Sequence, residues 1–188
     1  MEIMTAQQAS EAGRGLTFED VWTALMELKQ RQEKTRESID DLTRNVGGIN
    51  NSLGRFTESL FSSGLDGLFN EFGYSFTKQG PHVKFKIDGK IAAEADYFLE
   101  DGEYAMAVEV KTELKIRDVD DHIQRIAVIR RYFDARGDKR VLVGAVAGGI
   151  VHENVLHYAL KQGLYVVTQK GNSAVVADLP HDFQVRKW

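Results

Sequence analysis

Apolar residues recur at two different periods along this chain, and the change of period divides it. Leu28, Gln32, Thr35, Ile39, Leu42, Val46, Ile49, Leu53, Phe56 and Leu60 follow one another at alternating steps of four and three residues. Phe18, Trp22 and Leu25 lead into that series with a single three-residue slip at Leu25 to Leu28. A mean step of about 3.5 is the repeat of a coiled-coil seam, so the spacing predicts a long helix with an apolar stripe. Polar Gln32 and Thr35 weaken the stripe and can help to fix its register. The alternative is one long amphipathic helix that lies on its own domain. Lys29 to Asn45 holds nine charges in seventeen residues without Gly or Pro, which suits a solvated helix. Gly47-Gly48 interrupts at about 1 kcal/mol per glycine relative to alanine, and this predicts a hinge before the next helix.

From Phe76 onward the period becomes two. His82 to Ile87 alternates, Asp88-Gly89 is a two-residue hairpin signal, and Lys90 to Leu99 reads as a second strand. Glu100-Asp101-Gly102 forms a second turn and Glu103 to Lys111 a third strand, which completes an antiparallel meander. Val119 to Asp134 then carries a helical apolar face. Arg140 to Val146 and Leu164 to Val167 are apolar runs expected of buried strands. Val151 to Lys161 reads as a helix between them, and Ala174 to Leu179 as a last strand. The expected class is therefore α/β, a mixed sheet flanked by helices and preceded by a long N-terminal coiled-coil helix. Its expected divisions are a flexible N-terminus at 1–16, the coil at 17–48 and a globular domain at 49–188.

Composition changes this picture in three ways. With 188 residues there is room for one ordinary domain plus the helix. Zero cysteines remove disulfides, thiol nucleophiles and zinc ribbons, leaving oxygen and imidazole as the only metal ligands. A net charge of −4 argues against a strongly basic binder of nucleic acid, though not against an enzyme that meets it through one cleft. No apolar run approaches the ~20 residues of a membrane span, and the first residues lack the pattern of a signal peptide, so a cytoplasmic protein is expected. Neither GxGxxG nor GxxxxGK[ST] occurs.

The position of the acids carries the functional expectation. Glu109 and Lys111 stand two apart, hence on one face, at the end of the apolar run Ala105-Met106-Ala107-Val108. Asp96 follows the small residues Ala92, Ala93 and Ala95 on the preceding strand. Buried charges cost several kcal/mol unless paired or bound to a metal. Two readings follow: a structural Glu–Lys bridge, or a cleft in which two carboxylates hold a hard divalent cation beside a lysine. Glu58, on the helix before the meander, is a candidate third acid, with Glu71 its rival. Lys115 and Arg117 beyond the strand, and Arg125, Arg130 and Arg131 on the next helix, are candidate phosphate contacts or plain surface charges. Glu113, beside them just past the strand, could line the same cleft or belong to a solvated loop. His122, His152 and His157 show no ligand spacing with a partner acid.

An acid on one strand, a hairpin, and Glu-x-Lys on the next resembles the PD-(D/E)XK nuclease superfamily, the restriction-endonuclease-like fold, from about Ser52 to Ala177. The pairing with a coil also resembles a prokaryotic group within it. By that resemblance Asp96 is the metal-binding aspartate, Glu109 and Lys111 are the (D/E)-x-K pair, and Val110 offers its carbonyl to the metal. Glu58 corresponds to the helical glutamate of many members, and Gln124 to a helical polar position. Ala95 replaces the proline of the superfamily's name. The resemblance implies Mg²⁺ (or Mn²⁺)-dependent phosphodiester hydrolysis of nucleic acid, DNA first, by a homo-oligomer joined through its coil. The competing expectation is an inactive nucleic-acid-binding or assembly module on the same fold.

Overall fold

The structure is a computed structural model and describes residues 15, 17–62, 64–171 and 173–188. The expected flexible N-terminus lies outside these, apart from Gly15. The chain divides into two compact units, Met1–Asn50 and Asn51–Trp188.

Helix α1 runs from Phe18 to Ser62 without a break. It begins with a capping box: Thr17 Oγ1 accepts the amide of Asp20 at 3.2 Å, and Asp20 Oδ2 accepts the amide of Thr17 at 2.8 Å. The helix passes through Gly47-Gly48, so the two helices expected on either side of this step are one. Both glycines lie off the apolar seam with nothing within 4 Å of an added Cβ. Their cost is a loss of intrinsic propensity alone, which does not stop a helix that is favourable on either side. Within residues 18–50 every side chain is exposed.

The second unit is a six-stranded mixed sheet in the spatial order β1 to β6. Strands β1 (Lys78–Ile87), β2 (Lys90–Glu100) and β3 (Tyr104–Leu114) form the expected antiparallel meander. Asp88 and Gly89 have φ of 50° and 77°, the left-handed pair that a tight hairpin turn requires. The second turn works differently, because the Asp101 carboxylate accepts the amides of Glu103 and Tyr104 at 2.7 and 2.6 Å. Helix α2 (Ile116–Asp134) carries the chain to β4 (Val141–Val151), parallel to β3. Helix α3 (Glu153–Lys161) leads to β5 (Tyr165–Lys170), parallel to β4, and β6 (Ser173–Val176) returns antiparallel. Strand β4 extends five residues past the expected Val146. Its partner β3 also continues to Leu114, and pairing in the middle of a sheet overrides the turn tendency of Gly148-Gly149.

Period-two alternation sends successive side chains to two cores. One face packs Ala105, Ala107, Leu142 and Val146 under α2 and α3. The other packs Met106, Val108, Val143 and Ala145 against Phe61 of α1 and Phe69 of a short 3₁₀ helix, Gly67–Phe72. Gly144 allows the close approach of the first layer, since an added Cβ would lie 2.4 Å from Ile126 Cδ1 and 2.6 Å from Leu164 Cδ2. This is a three-layer α/β arrangement with helices on both faces of the sheet.

Candidate active site

The ladder between β2 and β3 runs only from Glu100↔Ala105 to Tyr97↔Val108. Beyond that point β2 stays paired with β1, through Ala95, Glu94 and Ala93, while β3 stays paired with β4, through Glu109, Val110 and Lys111. The two central strands therefore part where Asp96 and Glu109 would face each other. Asp96 fills the gap, its Oδ2 accepting the amide of Val110 at 2.8 Å. In an extended strand the N–H and C=O of one residue project to the same side. The Val110 carbonyl thus also faces the opening, next to Asp96.

Glu109 continues the Ala105-Ala107 face and is 2% exposed. Its Oε1 accepts Lys111 Nζ at 2.5 Å, and its Oε2 accepts Arg125 Nη1 from α2. His122, one helical turn before Arg125, is fully buried; its Nε2–H donates to the Ala107 carbonyl at 3.1 Å. Its Nδ1 has no hydrogen-bond partner and lies 4.0 Å from Glu109 Oε2.

Electrostatics differ sharply between the two acids. Burial and then the like charge of Glu109 push the Asp96 carboxyl above the usual range, against the pull of the Val110 amide and Lys111; the Glu58 charge adds to the rise. Burial also raises Glu109, but the hydrogen bond from Lys111 and the charges around it hold it below its ordinary value. Burial lowers Lys111, and its bond to Glu109 together with both carboxylates more than reverses this, so the ammonium stays protonated. Burial pushes His122 down to about 4, which keeps it neutral at pH 7. Within the cluster the cations Lys111 and Arg125 both pair with Glu109, and Asp96 has the Val110 amide as its hydrogen-bond donor.

Glu58 stands near the end of α1, where its carbonyl accepts the Tyr97 hydroxyl at 3.3 Å. Its carboxylate faces His82 Nε2 at 3.3 Å, not Asp96 directly. His82 went unnoticed in the sequence. Pro81↔Tyr97 and Val83↔Ala95 place it opposite Asp96, and its φ of 50° is unusual for a residue with a side chain. Its Nδ1 lies 3.7 Å from Glu94 Oε1. The Gly80-Pro81 step before it was the available signal. Lys115 and Arg117 remain at the surface, paired with Glu113 at 3.5 Å and Asp121 at 3.6 Å. Gln124 is exposed on α2, and Glu71 is exposed in the 3₁₀ helix. Arg125 joins the cluster by pairing with Glu109, a role its sequence position did not disclose.

Two carboxylates and one backbone carbonyl are hard oxygen donors. Mg²⁺ commonly takes one or two carboxylates and keeps several waters, so the donor set fits it. No three His, Asp or Glu side chains converge as a ready cage among the described residues. The cluster also lies outside the groove of about 710 Å³ at the other end of the β2/β3 ladder, which is lined by Phe85, Phe98, Tyr132, Arg136 and Arg140.

No family model matches the chain, and no curated protein matches it. Among solved structures it is similar to the small subunit of the heterodimeric restriction endonuclease R.BspD6I, at 13% identity and a TM-score of 0.33. That likeness covers 63% of this chain and 71% of the other. Among the described residues no helix is long and apolar enough to cross a membrane.

Proposed function

We propose that this chain is a divalent-cation-dependent nuclease of the PD-(D/E)XK kind, hydrolysing phosphodiesters of nucleic acid, DNA first. What supports the reading is the opening of the β2/β3 ladder at Asp96 and Glu109, where Asp96 accepts the Val110 amide and Glu109 accepts Lys111. Asp96, Glu109 and Val110 would hold Mg²⁺ or Mn²⁺, which polarises a phosphate oxygen and acidifies water when bound. Lys111 is protonated, so its part is to offset charge that develops on the phosphoryl oxygens. Glu109 aims the ammonium, and Arg125 on the far oxygen keeps the Glu109 carboxylate from rotating. Glu58 adds negative charge near Asp96, which strengthens attraction for a cation there.

A second reading has its own support: both Glu109 oxygens already have cationic partners, as in a purely structural ion cluster on a binding module. Isothermal titration with Mg²⁺ and Mn²⁺, alongside cleavage of plasmid and single-stranded substrates, separates the two. Metal binding lost in Asp96→Ala, with cleavage lost in Lys111→Ala, supports the nuclease. Absence of metal binding in the wild-type chain, or equal cleavage by Lys111→Ala, overturns it and leaves the binding module.

A further inference from the structure

From the exposed face of α1 we infer that the chain forms a parallel, in-register, two-stranded coiled coil with a second copy of itself. This goes beyond the nuclease reading and stands whether or not the site cuts. Along the seam the eight apolar side chains from Leu28 to Leu60 are between 37% and 64% exposed. A helix whose stripe stays wet has little to hold it, since isolated helices are marginal in water even at good propensity. Burying those side chains in two copies would remove on the order of 1,600 Å² from water, the scale of a stable interface. A partner with the same 3.5-residue repeat is what such a stripe fits, and a second copy supplies it.

The direction follows from the polar positions. One column of the seam is Gln32, Ile39, Val46, Leu53 and Leu60; the other is Leu28, Thr35, Leu42, Ile49 and Phe56. In a parallel pair every layer meets its own kind, and Gln32 faces Gln32 of the second copy, so each buried amide finds a partner. The opposing effect is Arg31 beside the second copy's Arg36, a like-charge contact at the solvated rim. An antiparallel pair centred on Ile39 and Leu42 avoids that contact but sets Gln32 against Ile49. One that matches Gln32 with Thr35 leaves Leu53, Phe56 and Leu60 uncovered and brings Lys29 beside Arg36. Thr35 needs no partner, since its hydroxyl already donates to the Arg31 carbonyl at 2.9 Å. An unpaired buried amide outweighs a screened surface repulsion, which selects the parallel pair. Ile39 and Val46 in the first column, with Leu28 and Leu42 in the second, favour two strands over three or four, against the opposite pull of Ile49 in the second column and Leu53 and Leu60 in the first.

Because the chain has no cysteine, single introduced thiols report the geometry directly. The full chain should show twice its 21.1 kDa by light scattering, and the double variant Ile39→Glu, Leu42→Glu should halve that mass. Near-UV circular dichroism of the variant should keep the signal of the packed aromatics of the Asn51–Trp188 core, changing only by the coil's own Trp22 and Phe56. On mild oxidation Leu28→Cys should cross-link to itself. A monomer, a trimer or tetramer, or cross-linking confined to a mixture of Leu28→Cys with Leu53→Cys would overturn the inference.

Discussion

Two charged clusters sit at opposite ends of the same β2/β3 ladder, and they shift their acids in opposite directions. At one end Arg140 bonds Asp138 and Glu100, its Nη2 lying 2.6 Å from Asp138 Oδ2. Arg130 donates to the Arg140 and Asp138 carbonyls at 2.7 Å, and both guanidiniums lie over the Phe133 ring. The hydrogen bonds from Arg140 hold the Asp138 carboxyl below its usual range. At the other end Asp96, under burial and the charge of Glu109, is driven the opposite way. The first cluster is neutralised around its arginines and braces a chain reversal. The second also sets two cations, Lys111 and Arg125, against two carboxylates, but one of these, Asp96, is pushed up rather than down, and a half-buried acid perturbed in that sense is a candidate for a ligand site.

The largest effect should separate the two ends by activity. Asp96→Asn should lower Mg²⁺-dependent cleavage about 10³-fold, or about 4 kcal/mol of barrier, whereas Glu100→Gln should leave it unchanged. Initial rates on a labelled duplex measure this, and equal losses in both variants would erase the distinction.

Acid stability should follow the buried end. His122 titrates near 4 when folded and near 6.5 when unfolded, so the unfolded chain takes up the extra proton between these values. Stability should be complete above about pH 6.5 and fall by up to about 3 kcal/mol as the pH drops to about 4. Glu109, held below its ordinary value, acts in the same sense. Urea unfolding midpoints across this range test it, and His122→Phe should flatten the upper part of the curve.

Arg140→Met, which keeps the stem but removes the charge, should cost about 1–2 kcal/mol in the same unfolding assay. Cleavage per folded molecule should not change. The smallest effect concerns the long-range charge of Glu58: Glu58→Gln should lower the Asp96 pKa, read by carboxyl ¹³C NMR titration. An unmoved Asp96 would place Glu58 outside the site.

Legibility in the sequence followed the range of the interactions. Glu109 and Lys111 could be placed on one face because the strand period is fixed by backbone geometry. The Asp88-Gly89 turn was equally plain, since both residues tolerate left-handed φ. Arg125 looked no different from Arg130 or Arg131, although one holds Glu109 and another braces Asp138. Which arginine does which depends on how α2 lies on the sheet. His122 offered no spacing signal because its neighbour, Glu109, is thirteen residues away on another element. His82 was hidden behind an alternation that its own φ breaks.

The amino-acid sequence by itself determined the periodicities: the 3.5-residue stripe of α1, the antiparallel meander, the buried central strands, and the shared face of Glu109 and Lys111. Each depends on covalent geometry within a few residues. Only the tertiary structure decided that the β2/β3 ladder ends at Tyr97↔Val108, that Asp96 takes over the Val110 amide, and that His122 and Arg125 close around Glu109. Those contacts join separate elements, so they are set by register and helix docking, which depend on how both cores fill at once.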